Sequence, residues 1–154
     1  MAEPTHSNTI VGWREWIALP ELGLDWMKAK IDTGARTSSV HAFDLVDLGD
    51  RVSFRLYPWQ ETDDDARDAT LEVHDRRVIR SSSGHEEERI VVLLDVTLAG
   101  RTTTIETTLT NRDSMGFRML IGREALRQGY LVDPAASFLG GRAPKAIRMA
   151  NRGR

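Results

Sequence analysis

The sequence predicts an all-β, barrel-like domain. Short segments alternate apolar and polar residues along most of the chain, and turn residues separate them closely. Only one short stretch carries the pattern and closing glycine of a helix.

Residues 11–19 and 24–31 read as a hairpin around Pro20-Glu21-Leu22-Gly23. Residues 40–48 and 71–79 are further strand candidates. Residues 51–56 alternate strictly, with Val52, Phe54 and Leu56 on one face. Leu94, Val96 and Leu98 alternate with Asp95 and Thr97, and Ala99-Gly100 then offers a two-residue turn. The threonine-rich run 101–110 is β-branched and completes a second hairpin. The single helix is expected over residues 123–128, with Gly129 as its left-handed cap. A last strand is expected over 130–134, and Gly140-Gly141 is expected to end the ordered domain.

At 154 residues the chain can bury one core but is too short for two full lobes. Its longest apolar run, Ile90 to Leu94, suits a strand and not a membrane span. No basic start followed by an apolar stretch marks a secretory signal. Cysteine is absent, which excludes disulfides, thiol catalysis and cysteine-based zinc sites. A cytoplasmic location is expected. The net charge of −2 gives no bias toward nucleic acid, so neither a specific nucleic acid nor a membrane is expected as partner. Glu61, Asp63, Asp64, Asp65 and Asp68 form an acidic segment, and Arg142, Lys145, Arg148, Arg152 and Arg154 make the end of the chain basic. Both read as solvated. The organisation expected is a flexible stretch over 1–9, one domain over 10–139 and a basic flexible tail over 140–154.

The chemistry centres on Lys30-Ile31-Asp32-Thr33-Gly34-Ala35, an apolar strand that ends in a tight turn. Gly34 permits a close backbone approach, Thr33 can brace the loop, and Ala35 leaves room for a neighbouring carboxylate. Alone, the tripeptide Asp-Thr-Gly also fits an ordinary β-turn. A second segment adds weight: Phe117-Arg118-Met119-Leu120-Ile121-Gly122-Arg123 runs from an apolar strand through Gly-Arg into the helix.

These pieces, in this order, resemble the retropepsins, the dimeric aspartic peptidases of retroviruses. The fuller string from Lys30 to Ala42, with Arg80-Ser81-Ser82-Ser83-Gly84 and the run from Thr108 to Met115, resembles a bacterial retropepsin-like family. Its members are often labelled ATP-dependent zinc proteases and are associated with ribosomal-protein glutamate ligases. The sequence holds no His-Glu-x-x-His and no phosphate-binding Gly-x-x-x-x-Gly-Lys-Ser/Thr. No cofactor or metal is therefore expected. A zinc site from scattered His41, His74 and His85 is the weaker alternative, one that chelator inhibition with zinc rescue would reveal.

The resemblance implies a closed retropepsin-like barrel with one short C-terminal helix and an active site at a homodimer interface. Aspartic peptidases need two carboxylates about 3 Å apart that share one proton. A single Asp-Thr-Gly implies that Asp32 meets its symmetry mate, because Asp113-Ser114-Met115 lacks the glycine. Asp32, Thr33 and Gly34 are then the catalytic residues, and Gly122 and Arg123 support the loop from behind. The flap tip is either 81–87, which contains Ser83 and Gly84, or the acidic loop 59–69. The ligase association implies a peptide or protein substrate with glutamate tails, such as a glutamylated ribosomal protein. Cations suited to such a tail are Arg36, beside Ala35 in the loop, and Arg76, Arg77 and Arg80 on the flap strand. The competing reading is a retropepsin-shaped module that binds glutamylated proteins without turnover.

Overall fold

The computed structural model describes residues 9–59, 64–80, 83–110 and 116–149. Strands β1 (Thr9–Gly12) and β2 (Arg14–Leu19) flank Trp13, whose N–H turns to the carbonyl of Ala136 at 2.9 Å. A 3-10 turn over Pro20–Leu22 closes on Gly23, at φ 67°, and β3 (Leu24–Ile31) returns antiparallel to β2. The proline sets the φ that starts this turn and the glycine takes the left-handed residue that ends it.

The strand expected over 40–48 is two strands. β4 (Ser38–His41) and β5 (Phe43–Asp47) separate at Ala42, whose N–H bonds to Thr110, and Asp44 at φ 50° bends the chain away. β5 then pairs with β6 (Arg51–Leu56), which pairs with β7 (Arg67–Glu72). The strand expected over 71–79 divides likewise. β7 stops at Glu72 and β8 (Asp75–Arg80) begins after Val73 bonds to Asp50 and His74 bonds to Val91. The backbone leaves one sheet for another there, and its alternation continues across the break.

β8 pairs with the long β9 (Glu86–Leu98), and β9 turns through Ala99 and Gly100 into β10 (Arg101–Thr110). Both turn residues have positive φ, 51° and 79°, the twist that suits a two-residue hairpin. β11 (Met119–Ile121), α1 (Arg123–Leu126), β12 (Tyr130–Asp133) and α2 (Lys145–Met149) follow. The expected single helix is thus corrected to two short ones. α1 stops two residues before Gln128, and α2 lies within the stretch read as tail.

The strand order β10-β4-β11-β3-β2-β9 closes on itself because β9 also pairs with β10, while β8 extends the ring outward. β5-β6-β7 form a separate sheet, and β1 pairs with β12 in parallel. The fold is mostly β, with a closed ring of strands. Ile17, Met27, Val92, Leu94 and Met119 belong to its core, joined by Val52, Phe54 and Leu56, the face that alternation marked. Burying a side chain of this kind stabilises by about 1.5–3 kcal/mol. Among the described residues, no helix is long and apolar enough to cross a membrane.

Glu15 is a fully buried carboxylate. It accepts N–H bonds from Gly12 at 2.7 Å and from Leu139 and Gly140 at 2.9 Å each. The chain therefore stays on the body past Gly140, and Ala143 is buried as well. A tail starting at residue 140 is corrected on this ground; Arg152 and Arg154 lie outside the described residues. Glu15→Ala strips one buried and two part-buried N–H donors of their acceptor, at about 1–3 kcal/mol for the buried one and less for each of the others. Its thermal midpoint is expected to fall by roughly 10 °C in a circular-dichroism melt. An unchanged midpoint contradicts the clamp.

Candidate active site

Asp32 sits at the end of β3, fixed on both sides. Ile31 registers with Ile121 of parallel β11, and its N–H bonds to Trp13 at 2.8 Å. The N–H of Asp32 bonds to the Ile121 carbonyl at 2.9 Å. The chain then turns: Gly34 donates its N–H to Asp32 Oδ1 at 2.9 Å, and Ala35 donates to the Asp32 carbonyl at 3.3 Å. A Cβ on Gly34 would lie 3.2 Å from that same Oδ1, so the bare Cα leaves the carboxylate its place. Asp32 is half-buried, whereas Thr33 and Gly34 are exposed.

The segment after β11 braces this loop. Gly122 donates to Ser38 Oγ at 3.0 Å, and a Cβ there would meet the Thr37 carbonyl oxygen at 2.5 Å. Arg123 N–H bonds to the Ala35 carbonyl at 2.7 Å, and Glu124 N–H to the Arg36 carbonyl at 3.0 Å. The Arg123 side chain donates from Nη1 to the Thr33 carbonyl at 3.0 Å. Gly122 and Arg123 thus lie directly against the Asp32 loop.

A cavity of about 240 Å³ opens beside Asp32. Asp32 and Ala35 reach it from the loop, and Ile79 and Arg89 from the β8–β9 hairpin. Thr37, Ser39, Thr108 and Thr110 give it four hydroxyl side chains. The hairpin pairs Arg80 with Glu86, and residues 83–85 are the described part of the connection between them. Ser83 and Gly84 are exposed there, with Gly84 at φ 85°, and residues 81–82 lie outside the described set. Among the described residues, none from 59–69 lines the cavity. Instead Trp59 is buried and donates its indole N–H to Asp65 at 2.8 Å. Of the two flap candidates, the one at 81–87 belongs to the strands that reach Asp32.

The arginines read as substrate partners lie elsewhere. Arg36 is 78% exposed, 3.9 Å from Glu124, on an adjoining groove of about 720 Å³ that shares Thr37 and Ile79 with the Asp32 cavity. Arg76 is engaged by Asp47 and Glu88, Arg77 by Asp75 and Glu106, and Arg80 by Glu86. None of the four lines the Asp32 cavity. The cation that does is Arg89, which sequence reasoning passed over. Its signal was the hairpin register: Ile79, Glu87 and Arg89 share one face, while Arg80, Glu86 and Glu88 share the other.

Those outer arginines hold carboxylates in their charged form. The hydrogen bond from Arg76 lowers Asp47 from 3.8 to about 2. Asp68, Asp75 and Glu106 are lowered as well, chiefly by hydrogen bonds from Arg55, Arg77 and Arg77 respectively. A depressed folded-state value means stabilisation that is present above the unfolded value and lost as pH falls through the folded one. The thermal midpoint is therefore expected to decline between about pH 4 and pH 2, and Asp47→Asn is expected to flatten part of that decline. A midpoint flat across that window contradicts the assignment.

The histidines stay apart. His41 is buried and stacks on Phe43 at 5.5 Å, His74 Nε2 meets Glu106 at 3.1 Å, and His85 is exposed. Among the described residues, no group of three His, Asp or Glu side chains is placed to hold a metal. Asp113 lies outside the described residues.

The model of the family described as "Retropepsin-like aspartic endopeptidase RimB" matches residues 10–143. The chain belongs to this family. The resemblance read from the Asp32 loop and the Gly122-Arg123 segment is thus membership. A Shewanella pealeana protein named "Probable alpha-L-glutamate ligase" is 46% identical over 133 residues, covering 84% of this chain and 29% of that protein. A protein of the same name from Desulfotalea psychrophila is 41% identical over the same shares. The chain therefore spans less than a third of these curated relatives' length. A crystal structure of a Legionella pneumophila protein of unknown function matches with a TM-score of 0.72 and 29% identity. It covers 87% of this chain and 99% of that one.

Proposed function

We propose that the protein is an aspartic peptidase that hydrolyses peptide bonds in glutamate-rich or glutamylated protein tails, with Asp32 and its counterpart in a second copy forming the catalytic pair. The observation that carries this reading is the presentation of Asp32. Its carboxylate is aligned by the Gly34 N–H at the mouth of a cavity in which, among the described residues, it is the one acidic side chain. General acid–base hydrolysis of an amide needs two such groups. The exposed Thr33 and Gly34 leave the loop open to a C2 partner that brings the other.

In the pair, the ionised carboxylate takes a proton from water as the oxygen attacks the amide carbon. The protonated carboxylate gives its proton to the carbonyl oxygen. The tetrahedral intermediate then collapses, the C–N bond breaks, and the nitrogen leaves with a proton returned by the pair. The ligase-named relatives support the substrate class, since a hydrolase is the natural counterpart of an enzyme that adds glutamate. A glutamylated ribosomal protein in the cytoplasm is the candidate substrate.

The test is a mass-spectrometric digest of a peptide ending in an oligoglutamate tail. The expected result is a ladder of products shortened by whole glutamate residues, suppressed by a pepstatin-type inhibitor. An intact peptide overturns the reading. The ligase-named relatives, in which the matched stretch is only 29% of the length, favour a second reading: a module that holds glutamylated tails without cutting them. Tight binding of the tail with no cleavage by wild type identifies that case.

A further inference from the structure

The Arg89 guanidinium stands out among the cations of this chain. Its side chain is only 16% exposed, yet among the described residues its ion-pair partner is Glu87 alone, at 3.7 Å, and Glu87 is itself 71% exposed. That separation is too long for a hydrogen bond, so among the described residues no carboxylate holds this guanidinium closely. Arg77, directly across the ladder, has Asp75 and Glu106 at 2.8 Å each. Arg89 also shares the cavity with Asp32 without forming an ion pair to it within 4.0 Å.

We propose that Arg89 is a specificity-determining residue that binds the free carboxylate of a substrate glutamate lying beside the scissile bond. The proposal rests on the reading of the Asp32 cavity as a peptidase site and names what selects its substrate. A carboxylate fits because a guanidinium can grip both its oxygens, and a half-desolvated cation gains most from an anionic ligand. The rest of the lining is mixed. Thr37, Ser39, Thr108 and Thr110 supply polar residues, with the Thr110 hydroxyl donating to the Val40 carbonyl, and Ala35, Ile79 and Leu120 supply apolar ones that can pack the methylene stem of a glutamate. Asp32 and Arg89 line one cavity of about 240 Å³, so a ligand seated in it faces both.

The test uses the full chain with Asp32→Asn in every binding arm, so that bound peptide is not consumed. Calorimetry compares pentaglutamate with its uncharged isostere pentaglutamine. The expected result is a preference for pentaglutamate of about 30-fold, the scale of a charge-assisted hydrogen-bonded pair. Arg89→Gln is expected to bring that ratio close to one by weakening the glutamate peptide alone, and Arg89→Lys to restore part of it. A ratio untouched by Arg89→Gln, equal weakening of both peptides, or no preference at the outset each overturns the assignment. Turnover of the same peptides by the chain carrying native Asp32 is read in parallel. Discrimination that depends on Arg89 with no cleavage leaves the carboxylate site standing and removes the peptidase reading. Cleavage without Arg89-dependent discrimination does the reverse.

Discussion

Asp32→Asn is expected to lower kcat/KM on a glutamate-tail peptide by about a thousandfold or more while leaving the fold intact. An amide cannot take a proton from water, and in a symmetric pair one substitution removes both carboxylates. The geometry makes the variant clean. The amide oxygen of asparagine can still accept the Gly34 N–H bond that Oδ1 accepts at 2.9 Å, and the Asp32 backbone bond to Ile121 is unaffected. The thermal midpoint is therefore expected to move by a few degrees at most. Steady-state kinetics beside a melt check this. Residual activity within tenfold of wild type places the chemistry on another group.

Gly122→Ala is expected to produce the largest loss of stability among the loop-bracing residues. The new Cβ would lie 2.5 Å from the Thr37 carbonyl oxygen, 2.6 Å from its carbon and 3.0 Å from the Ala35 oxygen. All three are backbone atoms, so no side chain can swing away. The strand end must separate from the turn, and the 2.7 Å bond from Arg123 to Ala35 goes with it. A cost of about 3 kcal/mol is expected, a fall of roughly 10 °C in a domain of this size. Activity is expected to fall further than the melt alone accounts for, since the displaced turn carries Asp32. Gly84→Ala is the contrasting case: nothing lies within 4 Å of its Cβ, and only the φ of 85° is strained. That variant is expected to cost about 1 kcal/mol. Equal melts for the two variants contradict the account.

Much of the fold was legible because its signals are local. β6 is Arg51–Leu56 as alternation marked it, and the Ala99-Gly100 turn joins β9 to β10. The Asp32 loop and the Gly122-Arg123 segment are legible for another reason: a glycine marks each tight approach, with no room for a Cβ at Gly122 and a close one at Gly34. The misses share a cause. At Val73-His74 the chain changes sheets without changing its alternation, and at Ala42 an apolar-rich run continues through the bend at Asp44, so in each place two strands read as one. Glu15 looked like an ordinary strand residue, because its three donors include Leu139 and Gly140 from the far end of the sequence. Arg36 is near Asp32 in sequence, yet its side chain lines the adjoining groove and not the Asp32 cavity. Arg89 stands 57 positions from Asp32 and comes to the cavity only through the β8–β9 register.

The dependence of the chemistry on two copies is most directly tested by mixing subunits. Wild type and Asp32→Asn are equilibrated in equal amounts at a fixed total concentration, and cleavage of the glutamate-tail peptide is followed. With one carboxylate drawn from each copy, only pairs of two native chains are active, about one quarter of all pairs after random exchange. Activity is then expected to fall to about a quarter of that of undiluted wild type at the same total concentration. A fall to one half, in direct proportion to the native chains present, means that each chain works alone and contradicts the shared pair.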